Sequence, residues 1–163
     1  MGWLFSQGQT RKELIAKRIE TQENEFGKWE TIAHSIRGNC LWRVVAYSNK
    51  RTGINDKYIA LDLLGSDKGY GWGYKDMTEH DGPHFYTCPL KYLTMVEEPK
   101  EEYAKNWRAK VREYHARMNR KFIVGQVIKL KSLQVPEVQI VSVKPFRGFY
   151  QNSIYRINRR LIL

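Results

Sequence analysis

Fourteen Lys and Arg side chains stand between residues 104 and 163, against two acidic ones, Glu113 and Glu137. The first 103 residues are near neutral, with fourteen basic and fifteen acidic side chains, so the net charge of +11 belongs to the C-terminal end. Concentrated cation of this kind implies an anionic partner, nucleic acid before others. Lys105, Arg108, Lys110, Arg112, Arg117, Arg120 and Lys121 recur along one segment. Lys129, Lys131, Arg147, Arg156, Arg159 and Arg160 follow in the next. Aromatic residues interleave with them: Phe149 and Tyr150 beside Arg147, and Tyr155 beside Arg156. Stacking rings next to a cationic backbone track are the chemistry of single-stranded nucleic-acid binding. The same cations would also suit an acidic protein surface.

Three other groups could carry chemistry. Tyr70, Trp72 and Tyr74 alternate with Gly71 and Gly73, which places the rings on one side of a strand. They suit either a stacking platform or a core face whose bare glycines admit a covering backbone. His80, His84 and Cys88 repeat every four residues, but Gly82-Pro83 forbids the helix that would align them, and a fourth ligand at finger spacing is missing. No metal and no cofactor is therefore expected. Asp62, Asp76 and Glu79 are the carboxylates that a metal-dependent nuclease would need, at a spacing with no diagnostic value. The chain lacks Gly-x-Ser-x-Gly, a phosphate-binding loop and His-Glu-x-x-His, so a non-enzyme is expected.

The elements that must position these groups follow from periodicity. Thr10 and Glu13 form a capping box for a helix over about residues 11–22, with Leu14, Ile15 and Ile19 as its apolar face. The period then falls to two, predicting strands at Lys28–Arg37, Cys40–Ser48, Tyr58–Leu64 and Gly69–Lys75. Gly38-Asn39 is a tight turn, and Gly65-Ser66-Asp67 reads as another. Trp3 and Phe5 suit a strand or plug packed on this core, although Gly2–Ser6 also fits the N-myristoylation pattern. After an irregular stretch over 76–98, Pro99 opens a helix whose face is Tyr103, Trp107, Val111, Tyr114 and Met118. Strands at Phe122–Leu133, Val138–Val143, Gly148–Gln151 and Ser153–Leu163 complete the chain. In the last of these, Tyr155, Ile157, Leu161 and Leu163 share a face.

The expected fold is α+β: a helix-covered antiparallel sheet (residues 1–98), a linking basic helix (99–121) and a small SH3-like or OB-like β-barrel packed on that helix (122–163). No apolar run reaches the roughly 20 residues a membrane span needs. Two cysteines, Cys40 and Cys88, suit a reducing cytoplasm.

Met1-Gly2-Trp3-Leu4-Phe5, Thr10-Arg11-Lys12-Glu13-Leu14-Ile15, Gly73-Tyr74-Lys75-Asp76-Met77, Cys88-Pro89-Leu90-Lys91, Trp107-Arg108-x-Lys110-Val111-Arg112 and Tyr155-Arg156-Ile157 occur in that order. Together they resemble an uncharacterised family of small proteins from phages, plasmids and other mobile elements, a domain of unknown function. The resemblance implies a phage or mobile-element accessory protein in a bacterial host cytoplasm. The expected function is non-catalytic binding of DNA, RNA or a nucleoprotein by the basic surface. The alternative is a counter-defence factor, such as an anti-CRISPR or anti-restriction protein, that binds a host complex. A metal-dependent nuclease ranks third.

Overall fold

The computed structural model describes residues 2–163. It is a mixed α/β protein in which strands predominate, divided into a unit reaching Arg112 and a second of Glu113–Leu163. In chain order the first unit holds β1 (Leu4–Phe5), α1 (Arg11–Ile19), β2 (Gln22–Glu23), β3 (Gly27–Arg37), β4 (Cys40–Asn49), β5 (Asn55–Asp67), β6 (Gly71–Thr78) and the short α2 (Leu90–Leu93). Helix α3 (Glu102–Asn119) begins in it and ends in the second unit. That unit adds β7 (Val127–Lys129), β8 (Glu137–Val143), β9 (Phe146–Tyr150) and β10 (Ser153–Arg156).

In the first unit six antiparallel strands run in the order β1-β6-β5-β4-β3-β2. The expected capping box is present: the Thr10 hydroxyl accepts from Glu13 N at 3.2 Å, and the Glu13 carboxylate accepts from Thr10 N at 3.1 Å. Helix α1 stops three residues short of the expected end, because Gln22 and Glu23 pair with Trp29 and Lys28 of β3. Gly38 takes φ +58° as the first of two loop residues between β3 and β4, a conformation that costs glycine little.

Strand β4 is buried on both faces, as its apolar run predicts. On one face Leu41 packs with Leu64 and with Leu14 of α1. On the other, Trp42, Val44, Ile59 and Leu61 join Cys88, Tyr92, Leu93, Val96, Trp107 and Val111. Side chains alternate across a strand, so the two clusters use opposite sides of β4 and β5.

The expected turn at Gly65-Ser66-Asp67 is instead ladder. Strand β5 runs through it, and Gly65 stands opposite Gly73. A Cβ on Gly65 would lie 2.7 Å from the Trp3 ring, and one on Gly73 would lie 2.5 Å from Leu4 O and against the Phe5 ring. The bare pair thus makes room for the N-terminal segment, whose Trp3 and Phe5 rings stack at 5.7 Å. Strand β6 extends to Thr78, three residues beyond its expected end.

Helix α3 starts at Glu102, later than Pro99 suggested; its first backbone bond joins Lys105 N to Glu101 O. Its buried residues are Ala104, Trp107, Arg108 and Val111, while Tyr103 is 74% exposed. The inward stripe is therefore rotated from the predicted one toward Arg108.

The second unit is a four-stranded antiparallel sheet, β10-β9-β8-β7. Its core is Ile128, Leu130, Val138, Ile140, Ile157 and Ile162, with Phe122, Val135, Phe146 and Tyr150 around it. Ile128 and Leu130 face inward between exposed Val127, Lys129 and Lys131, as the alternation predicts. Gln151 and Asn152, at φ +45° and +63°, form the two-residue loop between β9 and β10; two positive φ values mark a type I′ hairpin. Beyond β10 the chain returns to the free edge of β7: Lys131 N donates to Leu161 O at 2.6 Å, and Leu163 N to Lys129 O at 3.0 Å. The sheet is thereby curled. The expected continuous strand to Leu163 is broken by a 3₁₀ turn at Arg159–Leu161. That turn shifts the phase, so Ile162 is buried while Leu161 and Leu163 are exposed; Tyr155, which precedes the turn, is exposed as well.

Among the described residues no helix is long and apolar enough to cross a membrane.

Candidate nucleic-acid interface

The basic residues separate sharply once their partners are identified. Along the first part of α3, Lys105 pairs with Glu102 at 3.0 Å and Arg112 with Glu98 at 2.6 Å, while the Lys110 ammonium lies 5.9 Å from the centre of the Tyr86 ring. Arg108 is not a surface cation at all. It is 0% exposed, and its Nε and Nη2 donate to the buried Glu79 carboxylate at 2.6 and 3.2 Å. Glu79 also accepts from Ile59 N at 3.2 Å, tying α3 to the sheet. A guanidinium held this way cannot reach a phosphate, which corrects its assignment as a binding residue.

Within the second unit, three arginines serve the fold. Arg117 pairs with Glu113 at 3.1 Å. Arg120 donates to Leu163 O at 3.2 Å and stacks on Phe122. Arg159 lies 5.3 Å from the centres of both Phe122 and Phe146 and donates to the carbonyls of Met118 and Arg120 at 3.0 and 3.1 Å. Those are the orphan acceptors at the end of α3, where a cation is favoured.

Lys121, Lys129, Lys131, Arg147, Arg156 and Arg160 are exposed and have no ion-pair partner among the described residues. Two of them are placed against electrostatic preference. Arg147 of β9 stands directly opposite Arg156 of β10. Like charges in that register, about 4.5–5.5 Å apart at Cβ, destabilise a sheet. Beside them on the same outer face, Phe149 opposes Ile154, and Gln139 of β8 opposes Phe149 from the other side. Phe149 is 41% exposed. The face thus presents two juxtaposed guanidinium groups next to an open ring.

The remaining aromatic candidates are placed differently. Tyr155 opposes Gly148, on the sheet side away from Phe149, and Tyr150 packs on the core. Tyr70 is 60% exposed in the β5–β6 turn. Trp72 and Tyr74 pack against the Leu14–Leu41–Leu64 cluster, with Arg11 5.6 Å from the Trp72 ring centre and Arg18 4.0 Å from that of Tyr74.

His80 Nδ1 lies 3.3 Å from Glu101, and His84 is exposed. Cys88 is buried, and desolvation, aided by the nearby Glu79 charge, pushes its thiol up to about 12. Among the described residues no three His, Cys, Asp or Glu side chains converge as a metal would require. Asp62 and Glu79, two of the carboxylates a nuclease would use, are each occupied by guanidinium groups. Sequence reasoning missed the Arg18–Asp62–Arg43 cluster altogether. Its visible signal is an Asp and an Arg at the centres of two otherwise apolar strands.

A family model described as "Domain of unknown function (DUF6927)" matches residues 98–133, which take in α3 and β7. No curated protein and no solved structure matches the chain.

Proposed function

We propose that this is a non-catalytic accessory protein of a phage or other mobile element, which binds nucleic acid or a nucleoprotein in a bacterial cytoplasm. The contact surface is the outer face of the sheet formed by β7–β10, read as an SH3-like barrel. The observation that carries the reading is the Arg147–Arg156 cross-strand pair beside Phe149, with no carboxylate to neutralise it among the described residues. A phosphodiester between the two guanidiniums would convert their repulsion into attraction, and Phe149 would stack on a neighbouring base. Lys129 and Arg160 would extend the cationic track.

The test is fluorescence anisotropy of labelled single- and double-stranded DNA and RNA across a salt series, with wild type and R147E/R156E. Affinity should fall steeply with salt, and the double variant should lose about one unit of the log–log slope per residue replaced. Its circular dichroism should be unchanged, because both side chains are exposed. Equal binding by variant and wild type sinks the proposal.

A second reading has its own support. Val127, Val141, Phe149 and Ile154 are exposed apolar side chains of the same four-stranded sheet, a composition suited to a protein partner. In that reading the chain is a counter-defence factor, of the anti-CRISPR or anti-restriction kind, bound to an acidic host protein. Retention of one stoichiometric protein in a nuclease-treated pull-down, lost in R147E/R156E, would favour it over direct nucleic-acid binding.

A further inference from the structure

In the first unit, the sheet face that carries α1 also carries a cavity of about 290 Å³. The small side chain of Ala60 leaves a hollow in the middle of β5, with Val45 beside it. Arg43, Tyr58 and Asp76 rise from the sheet around this floor, Trp29 of β3 lines it as well, and Arg18 and the residues after α1 contribute the rest. The space suits one small molecule of amino-acid size.

Its electrostatics are specific. Asp62 is 0% exposed and does not line the cavity; the two arginines that hold it do. Arg18 Nε and Nη2 each lie 3.1 Å from the Asp62 oxygens, and Arg43 Nε and Nη2 lie at 2.8 and 3.4 Å. Arg18 Nη1 also donates to the Tyr74 hydroxyl at 3.1 Å, and Arg43 Nη1 to the Thr31 hydroxyl at 3.3 Å. A guanidinium has five N–H donors, so each arginine keeps donors beyond those bonds. Asp62 is shared by the two guanidiniums, so the rest of their positive charge faces the carboxylates that line the cavity itself, Asp76 and Glu20.

Of these two carboxylates, Asp76 rises from the sheet and Glu20 follows α1; the anionic pole on the sheet is Asp76. It stands directly opposite Asp62 in the β5–β6 register, lines the cavity, and makes no hydrogen bond or ion pair within 4 Å among the described residues. Burial raises the Tyr58 phenol, so it remains a neutral donor at pH 7. A cationic pole and an anionic pole thus share one small polar hollow, with Trp29 as an apolar wall.

We propose that this cavity binds a small zwitterion of the α-amino-acid class. Its carboxylate would take the remaining N–H groups of Arg18 and Arg43, its ammonium would pair with Asp76, and its side chain would lie against Trp29 and Val45. This site is independent of the nucleic-acid face, since every residue in it belongs to the first unit.

The test is a thermal-shift and calorimetry screen of the full chain against the amino acids, with matched carboxylic acids lacking the amine and amines lacking the carboxylate. At least one amino acid should raise Tm in a concentration-dependent way at or below about 10 mM. Asp76→Asn should weaken that ligand about tenfold or more while leaving the ligand-free Tm within a degree or two of wild type, and the deaminated acid should bind both proteins equally weakly. In labelled protein, the Arg18 and Arg43 Nε–H resonances should move on titration, a readout that needs no variant. Absence of any shift across the panel, or an affinity unchanged in Asp76→Asn, or immobile arginine resonances, would overturn the proposal.

Discussion

Replacing Arg108 by Ala is expected to damage stability and to leave the proposed nucleic-acid surface intact. Both members of the Arg108–Glu79 pair are buried, and the variant leaves a carboxylate in the core with only Ile59 N–H as a partner. Breaking one side of such a pair costs about 3–5 kcal/mol. That is a large share of a typical total of roughly 5–15 kcal/mol. With a urea slope of about 1.5–2 kcal/mol/M for a unit of this size, the midpoint should fall by about 1.5–3.3 M. The assay is favourable because all five tryptophans, Trp3, Trp29, Trp42, Trp72 and Trp107, belong to the first unit, so their fluorescence reports that unit alone. The double variant E79Q/R108M removes both charges and keeps an acceptor for Ile59 N–H, so it should cost less than R108A alone. A midpoint shift below about 0.5 M for R108A would refute the assignment of this arginine to the core.

Gly148→Ala should destabilise the second unit by about 1–3 kcal/mol, because the new methyl would sit 2.6 Å from atoms of Val138 and Ile157 in a closed core. Loss of hydrogen-exchange protection over residues 127–162, with tryptophan fluorescence unaltered, is the expected outcome; unchanged protection would count against this packing. Cys88 supplies a pH dependence. Burial raises its thiol to about 12, above the ordinary value of 9.0, so its contribution to stability is complete below pH 9 and declines as pH rises toward 12. Consistently, neither Cys40 nor Cys88 should react rapidly with a thiol reagent at pH 8 until the chain is unfolded. Fast labelling of native protein would contradict the buried placement.

The β-rich architecture, the capping box and the two-sided burial of β4 were legible in the sequence because each depends on local periodicity or a short motif. What escaped was decided by distant partners. Gly65 reads as turn material, and only its position beneath Trp3 makes it a ladder residue. Arg108 sits one position from Trp107 and reads as the flank of an amphipathic helix. The carboxylate that draws it inward lies 29 residues earlier, in a segment with no regular pattern. The Arg18–Asp62–Arg43 cluster joins α1, β4 and β5 in the same way. Leu161 and Leu163 fall outside the core because a single 3₁₀ turn interrupts the strand, and any insertion into a period of two reverses every later side chain.

Net charge therefore says less about this protein than the distribution of partners does. Seven cations were expected to run from Lys105 to Lys121 as one track, yet four of them make ion pairs with Glu102, Glu79, Glu98 and Glu113, and Arg120 holds the C-terminal carbonyl. A helix whose arginines are already neutralised gains little from approaching a phosphate, because each contact would first have to break an internal one. The cross-strand pair Arg147–Arg156 is in the opposite state: it is repulsive as it stands, and an anion relieves it. The free energy of binding an anion is largest where the unbound protein is least satisfied, so the interface we propose belongs on β9 and β10, with α3 as its scaffold.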